Sequence, residues 1–211
     1  MIRTVTILEC LPEDLDYPCS EGKMLREYLK IVNFQENNKI NINYKEISDT
    51  KELLFQLSQA KEGCIHISCH GNYDKHGTYL ETKGDERLYS YEILCPPPEL
   101  LSISPSLIKE EEYGDEPYLW RGLDDDDKPV LVFLSSCLTA KKGDLIDAFF
   151  YSGCRYVIAP KKVVNFADSA FFTTTFYGLL FWKKMQVSTA FNKAKSLCGD
   201  DAKWCIKRKP K

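Results

Sequence analysis

Two kinds of hydrophobic spacing alternate along the chain and predict strands and helices in turn. Thr4 to Glu9 (TVTILE) is a short apolar run of strand type. From Ser20 to Ile31, apolar residues recur at helical spacing at Met24, Leu25, Tyr28 and Leu29, and the pattern reaches Val32. Ser20 is a candidate cap, but Lys23 stands where a capping box needs an acid or amide. Ile40 to Ile47 alternates apolar and polar, which predicts a strand with one solvated side. Asp49 or Thr50 caps the next predicted helix, with Leu53, Leu54, Leu57 and Ala60 on one face. Cys64 to Cys69 (CIHISC) is a short apolar strand ending at His70-Gly71-Asn72.

The pattern then changes. Thr78 to Leu94 predicts a hairpin followed by the start of a short helix. Residues 95–128 hold no sustained period and are rich in proline and acid, so they read as a loop insert, partly mobile, within a single 1–211 domain. The string Asp124 to Lys128 (DDDDK) matches a processing-protease recognition sequence, but Pro129 follows the lysine and the match is treated as coincidence. Val130 to Ser135 (VLVFLS) is a continuous apolar run, as in a central parallel strand covered on both faces. A helix from Asp144 to Tyr151, a strand from Arg155 to Ala159, an aromatic-rich helix from Asp168 to Trp182 and a last helix from Ser188 to Leu197 complete the prediction. The alternation argues for a three-layer α/β/α sandwich with a mainly parallel central sheet.

Composition narrows the function. The chain has 28 basic and 31 acidic residues in 211, a net charge of −3, without the clustered basic surface that nucleic acid demands. The basic tail Lys207 to Lys211 is expected to be a solvated end. The most apolar stretch, Ala170 to Trp182, is too short to cross a bilayer, so no membrane role is expected. The N-terminus lacks the features of a signal peptide, and a cytoplasmic location is expected. Nine cysteines, an odd number at irregular spacing, argue against a disulfide framework. The nearest metal-like set is Cys64, His66, Cys69 and His70. Strung along one strand, with Cys69 on the opposite face, they do not close a tetrahedron.

In open parallel sheets, ligands bind beyond the carboxyl ends of the strands. Two predicted strands end there in reactive residues, one at His70-Gly71 and the other at Cys137. If these strands are neighbours, an imidazole and a thiol emerge side by side as base and nucleophile. The N–H groups of Gly71 and Cys137 are then candidates for an oxyanion hole. Each residue alone has a plainer reading: a small buried thiol for Cys137, a turn residue for His70. His66 is expected in the core or behind the site, and His76 in a solvated loop. A nucleotide- or phosphate-binding role for Lys141-Lys142-Gly143 and Lys161-Lys162 lacks the glycine-rich loop that such sites use.

The segments ISCHGN, VLVFLSSCLTA and GCRYVIAPKKVVNFADSAFFTTTFYGLL resemble the landmarks of the CHAT branch of caspase-like (clan CD) cysteine peptidases. The matching residues are His70-Gly71, Ser135-Ser136-Cys137, Gly153 to Ala159, and Phe176-Tyr177. The resemblance covers roughly residues 64 to 200; the first 63 agree in topology only. It implies a caspase-like fold and a His70–Cys137 dyad that cuts a protein substrate after a selected P1 residue, with no metal or organic cofactor. The small size and the acidic insert suggest control by a protein activator or regulator, or by loop cleavage, and the resemblance adds that bacterial members of the family often act in defence or cell death. The chain departs from the family pattern in two places. Leu138-Thr139-Ala140 follow the cysteine where an acid is usual, and Lys162, Asn165 and Phe166 occupy the later tryptophan and acidic positions. Asp168 is then a candidate P1-binding residue, with a helix N-cap as its plainer role. A basic P1 follows if Asp168 faces the pocket, an apolar P1 if Phe166 does. A silent adaptor that binds a partner at the same rim is the competing function. The acidic residues 109–127 are a candidate autoinhibitory cover.

Overall fold

The computed structural model describes residues 2–10, 20–36, 39–96, 119–120, 123–199 and 201–208. Its strands are β1 (Thr4–Cys10), β2 (Asn41–Glu46), β3 (Cys64–Asp74), β4 (Gly77–Glu81), β5 (Arg87–Tyr89), β6 (Leu131–Ser135), β7 (Tyr156–Pro160) and β8 (Trp204–Arg208). Its helices are α1 (Glu21–Glu36), α2 (Thr50–Gln59), α3 (Ser90–Leu94), α4 (Asp144–Tyr151), α5 (Phe166–Tyr177) and α6 (Val187–Cys198). The sheet runs β2-β1-β3-β6-β7-β8, and the β4–β5 hairpin continues from β3. The first five strands of that path are parallel, and β8 closes the edge antiparallel to β7.

Side-chain alternation along the central strands splits the core into two layers. Ile65 and Ile67 of β3 and Val132 and Leu134 of β6 join one layer with the apolar faces of α2, α3 and α4. Cys64, Leu131 and Phe133 join the other, with α1, α5 and α6. Phe133 is the hub of the second layer; its ring lies 5.5 Å from both Phe176 and Trp204 and 5.0 Å from His66. A mainly parallel sheet between helical layers is the architecture the hydrophobic pattern predicts.

Several predicted boundaries move. The strand expected to end at His70-Gly71 runs on to Asp74, because its last residues exchange a parallel neighbour for antiparallel pairing with β4. Trp204 to Arg208 form β8, with Trp204 buried; of the basic tail, Lys207 and Arg208 are exposed at its end, and 209–211 lie outside the described residues. The helix expected from Asp168 starts at Phe166, capped by Asn165. It also does not stay α-helical to Trp182, since Gly178–Trp182 form a π-helical turn.

Most of the acidic insert, 97–118 and 121–122, lies outside the described residues. Its end is not a loose loop. Leu119 and Trp120 are fully buried, and Trp120 donates its indole N–H to the Leu57 carbonyl at 2.8 Å. Beyond them, Asp127 accepts from Glu62 N–H. Lys128 pairs with Asp125 at 2.9 Å, and its stem lies so near Gly153 that a Cβ there would come within 2.6 Å of it.

Candidate active site

The register of β3 and β6 sets the geometry. Ser68 stands opposite Ser135 in this parallel pair. Two residues further along are His70, still in β3, and Cys137, in the turn that follows β6. Both line one cleft of about 160 Å³, with Asn165, Phe166 and Val164 from the segment that enters α5. Its polar lining is Glu21, Ser68, Ser135 and Ser169. Cys10 and Cys69, paired in register on β1 and β3, also reach it.

His70 is exposed and Cys137 half-buried. The Cys137 thiol accepts from Val164 N–H at 3.4 Å and donates to the Val164 carbonyl at 3.5 Å. No hydrogen bond joins it to His70 among the described residues. Leu138, directly after the cysteine, has φ 60. That left-handed conformation costs an ordinary residue roughly 1–2 kcal/mol. Backbone bonds from Leu138 to Lys162 and from Ala140 to Pro160 hold the segment against the end of β7.

Gly71 packs directly on this segment. A Cβ there would sit 2.6 Å from the Cys137 carbonyl oxygen and 2.8 Å from Thr139 Cγ2. The first contact cannot yield without moving the cysteine's backbone. Gly71→Ala is therefore expected to cost about 1–3 kcal/mol of stability, as overpacking does. Its urea midpoint and the alkylation rate of Cys137 should shift together; a midpoint and a rate equal to wild type would show that the two backbones are not in tight contact.

Behind the cleft lies a buried polar chain. Glu21, 5% exposed, accepts from Ser135 Oγ at 2.7 Å and from Thr173 Oγ1 at 2.8 Å. Ser169 Oγ lies 2.5 Å from Ser135 Oγ. His66 Nε2 is 3.5 Å from Glu21 Oε1, an electrostatic contact outside hydrogen-bond geometry. The other ring nitrogen of His66 is 3.4 Å from Tyr177 Oη, which is 3.0 Å from Cys64 Sγ. One neutral arrangement serves the whole chain: Cys64 donates to Tyr177, Tyr177 donates to His66 Nδ1, and Nε2–H faces the carboxylate. Burial pushes the Glu21 carboxyl up, but the His66 imidazole and the two hydroxyls outweigh it, and the group sits below its ordinary value. Burial drives both Cys64 and Tyr177 up, so neither ionises readily.

Glu21 is itself held in place. Ser20 donates to Glu9 at 2.6 Å and Gly22 N–H donates to Glu9 at 2.8 Å, on either side of it in sequence. Ser20 Oγ also accepts from Lys23 N–H, the capping role expected of it.

The structure separates the three candidate P1-binding residues. Asn165 and Phe166 line the cleft; Asp168 does not. Asn165 is also the N-cap of α5, accepting from Asp168 N–H at 2.8 Å and donating to Asp168 Oδ2. Asp168 is therefore neither in the cleft nor the N-cap; it is the third residue of the helix. Lys141 and Lys142 turn toward Tyr73 and the Asp74 carbonyl at the end of β3. His76 lies exposed in the β3–β4 turn, its backbone N–H bonded to Asp74. Cys69 is bonded to Ser136 Oγ at 3.0 Å. Glu21 and the serine lining escape the sequence reading. The one signal for Glu21 is an acid directly after a candidate cap, which is ordinarily a solvated first-turn residue.

No described helix is long and apolar enough to cross a membrane. No family model matches the chain, and no curated protein matches it. Among solved structures, the chain is similar to the crystal structure of the Drosophila initiator caspase Dronc, with a TM-score of 0.53 over 98% of this chain and 79% of that one, at 10% identity. The fold is therefore caspase-like, and the likeness is one of architecture.

Proposed function

We propose that this chain is a cysteine endopeptidase of the CHAT branch, with Cys137 as nucleophile and His70 as general base. The observation that carries the reading is the β3–β6 register, which brings an imidazole and a thiol to one rim of one cleft. His70 takes the Cys137 proton as sulfur attacks the scissile carbonyl, and Gly71 N–H and Cys137 N–H receive the oxyanion. Collapse of the tetrahedral adduct breaks the C–N bond, and the departing amine leaves with the proton from His70. Water, deprotonated by the same imidazole, then releases the acyl group and restores the thiol. Asn165 and Phe166 contact the P1 side chain. The substrate is a protein, and a protein activator controls access to the cleft.

The bonds between Cys137 and Val164 favour a second reading, an adaptor or a latent enzyme, since they occupy the thiol away from His70. Iodoacetamide alkylation of each cysteine, read by mass spectrometry across pH, separates the two. An assembled dyad makes Cys137 the fastest cysteine near neutral pH, and His70→Ala slows it by about tenfold or more. A slow Cys137, indifferent to His70, would favour the adaptor or the latent enzyme.

A further inference from the structure

Among the described residues Glu21 is the one acidic side chain lining the cleft, and nothing in the chemistry proposed above uses it. We infer that the cleft takes a positively charged side chain, lysine or arginine, at P1, and that Glu21 selects it; the inference rests on the peptidase reading above.

Size supports it first. An engineered cavity of about 150 Å³ holds one benzene. A cleft of about 160 Å³ therefore suits one side chain. Its lining matches a long cationic residue in two parts. Val164 and Phe166 offer apolar surface to the methylene stem, as such stems prefer. Ser68, Ser135 and Ser169 offer hydroxyl oxygens to the polar head, and Glu21 adds the charge.

The carboxylate is also poised to receive that head. Ser135 and Thr173 each donate to one of its oxygens, and a carboxylate oxygen accepts more than one bond. Among the described residues no lysine or arginine pairs with it, and the His66 ring faces it only at 3.5 Å. A buried carboxylate without a cationic partner is costly for a fold to keep, and an incoming ammonium or guanidinium supplies that partner. A neutral P1 side chain leaves the charge unpaired, and an acidic one meets a like charge.

A purely structural Glu21, tying the start of α1 to β6 and α5, makes a different prediction about P1, which peptidyl acyloxymethyl ketones differing only in P1 can test. With these labels the Cys137 sulfur displaces a carboxylate and forms a thioether. Intact-mass kinetics on the full chain compare Arg, Lys, Leu and Asp at P1. Arg and Lys labels are expected to modify Cys137 roughly 30-fold faster than Leu or Asp, the scale of one desolvated charge pair. In Glu21→Gln that advantage should fall at least about tenfold, with the Leu rate little changed. Faster labelling by Leu or Asp overturns the inference and leaves the peptidase reading standing. So does a Glu21→Gln variant that keeps the full cation preference. If no label modifies folded Cys137, the cleft of this chain admits no P1 side chain, which overturns the inference and favours the adaptor or latent enzyme over the active peptidase. Should Glu21→Gln not fold, the P1 ranking of the wild-type chain decides alone.

Discussion

Cys137→Ala is expected to reduce cleavage to background, a loss of at least about 10⁴-fold, because the acyl intermediate forms on its sulfur. His70→Ala should cost roughly 10² to 10⁴-fold, the range for a general acid–base residue. The double variant should be no worse than Cys137→Ala alone, since the two residues act as one unit. Stability gives the control. His70 is exposed and Cys137 half-buried at the rim, so urea midpoints should stay within about 0.5 kcal/mol of wild type. The readout is turnover of the best P1 peptide or of the native target. Undiminished turnover in Cys137→Ala would remove this thiol from the chemistry. Full loss in both variants with intact folding would leave the adaptor reading without support.

The parts of this site that were legible are those whose chemistry coincides with strand ends. The run Val130 to Ser135 and the alternation through Cys64, His66 and Ser68 locate two strands and assign their faces, and local pattern suffices for both. That β3 and β6 are neighbours was only a condition of the sequence argument, since local pattern does not fix which strands pair; the structure supplies it. Glu21 was not legible. Its partners Ser135 and Thr173 lie 114 and 152 residues away. Nothing near it in sequence separates a buried first-turn acid from a solvated one. Asp168 misled for the complementary reason. An acid at the third helical position is a local feature of the α5 cap, and its side chain is taken by Asn165. β8 was hidden by composition, because the exposed Lys207 and Arg208 of an edge strand read equally well as the start of a solvated basic tail.

Trp120 is the second residue at which a large effect is expected, and it decides how the acidic insert is treated. It sits among prolines and acids and carries no periodic signal, yet it is fully buried and stacks on Phe149 at 6.2 Å. Its φ of 65 places it in the left-handed region, a conformation that a bulky residue keeps only when packing enforces it. Trp120→Ala is expected to destabilise the fold by about 3–5 kcal/mol, the range for emptying a large aromatic site. For a chain of this size that lowers the melting temperature by roughly 6–20 °C. Trp120→Phe keeps most of the buried area and loses the bond to Leu57, so about 1 kcal/mol is expected from the missing hydrogen bond. A loss below 1 kcal/mol in the alanine variant, read by urea denaturation, would mean that the insert is not anchored here. The same anchor limits any test of autoinhibition. Deleting 109–127 removes Leu119 and Trp120 with the acidic residues, and lost activity would then report unfolding. A deletion confined to 109–117 keeps both, so a rise in basal turnover in that variant is the result expected if the acidic stretch covers the cleft. Unchanged turnover with the fold intact would count against such a cover.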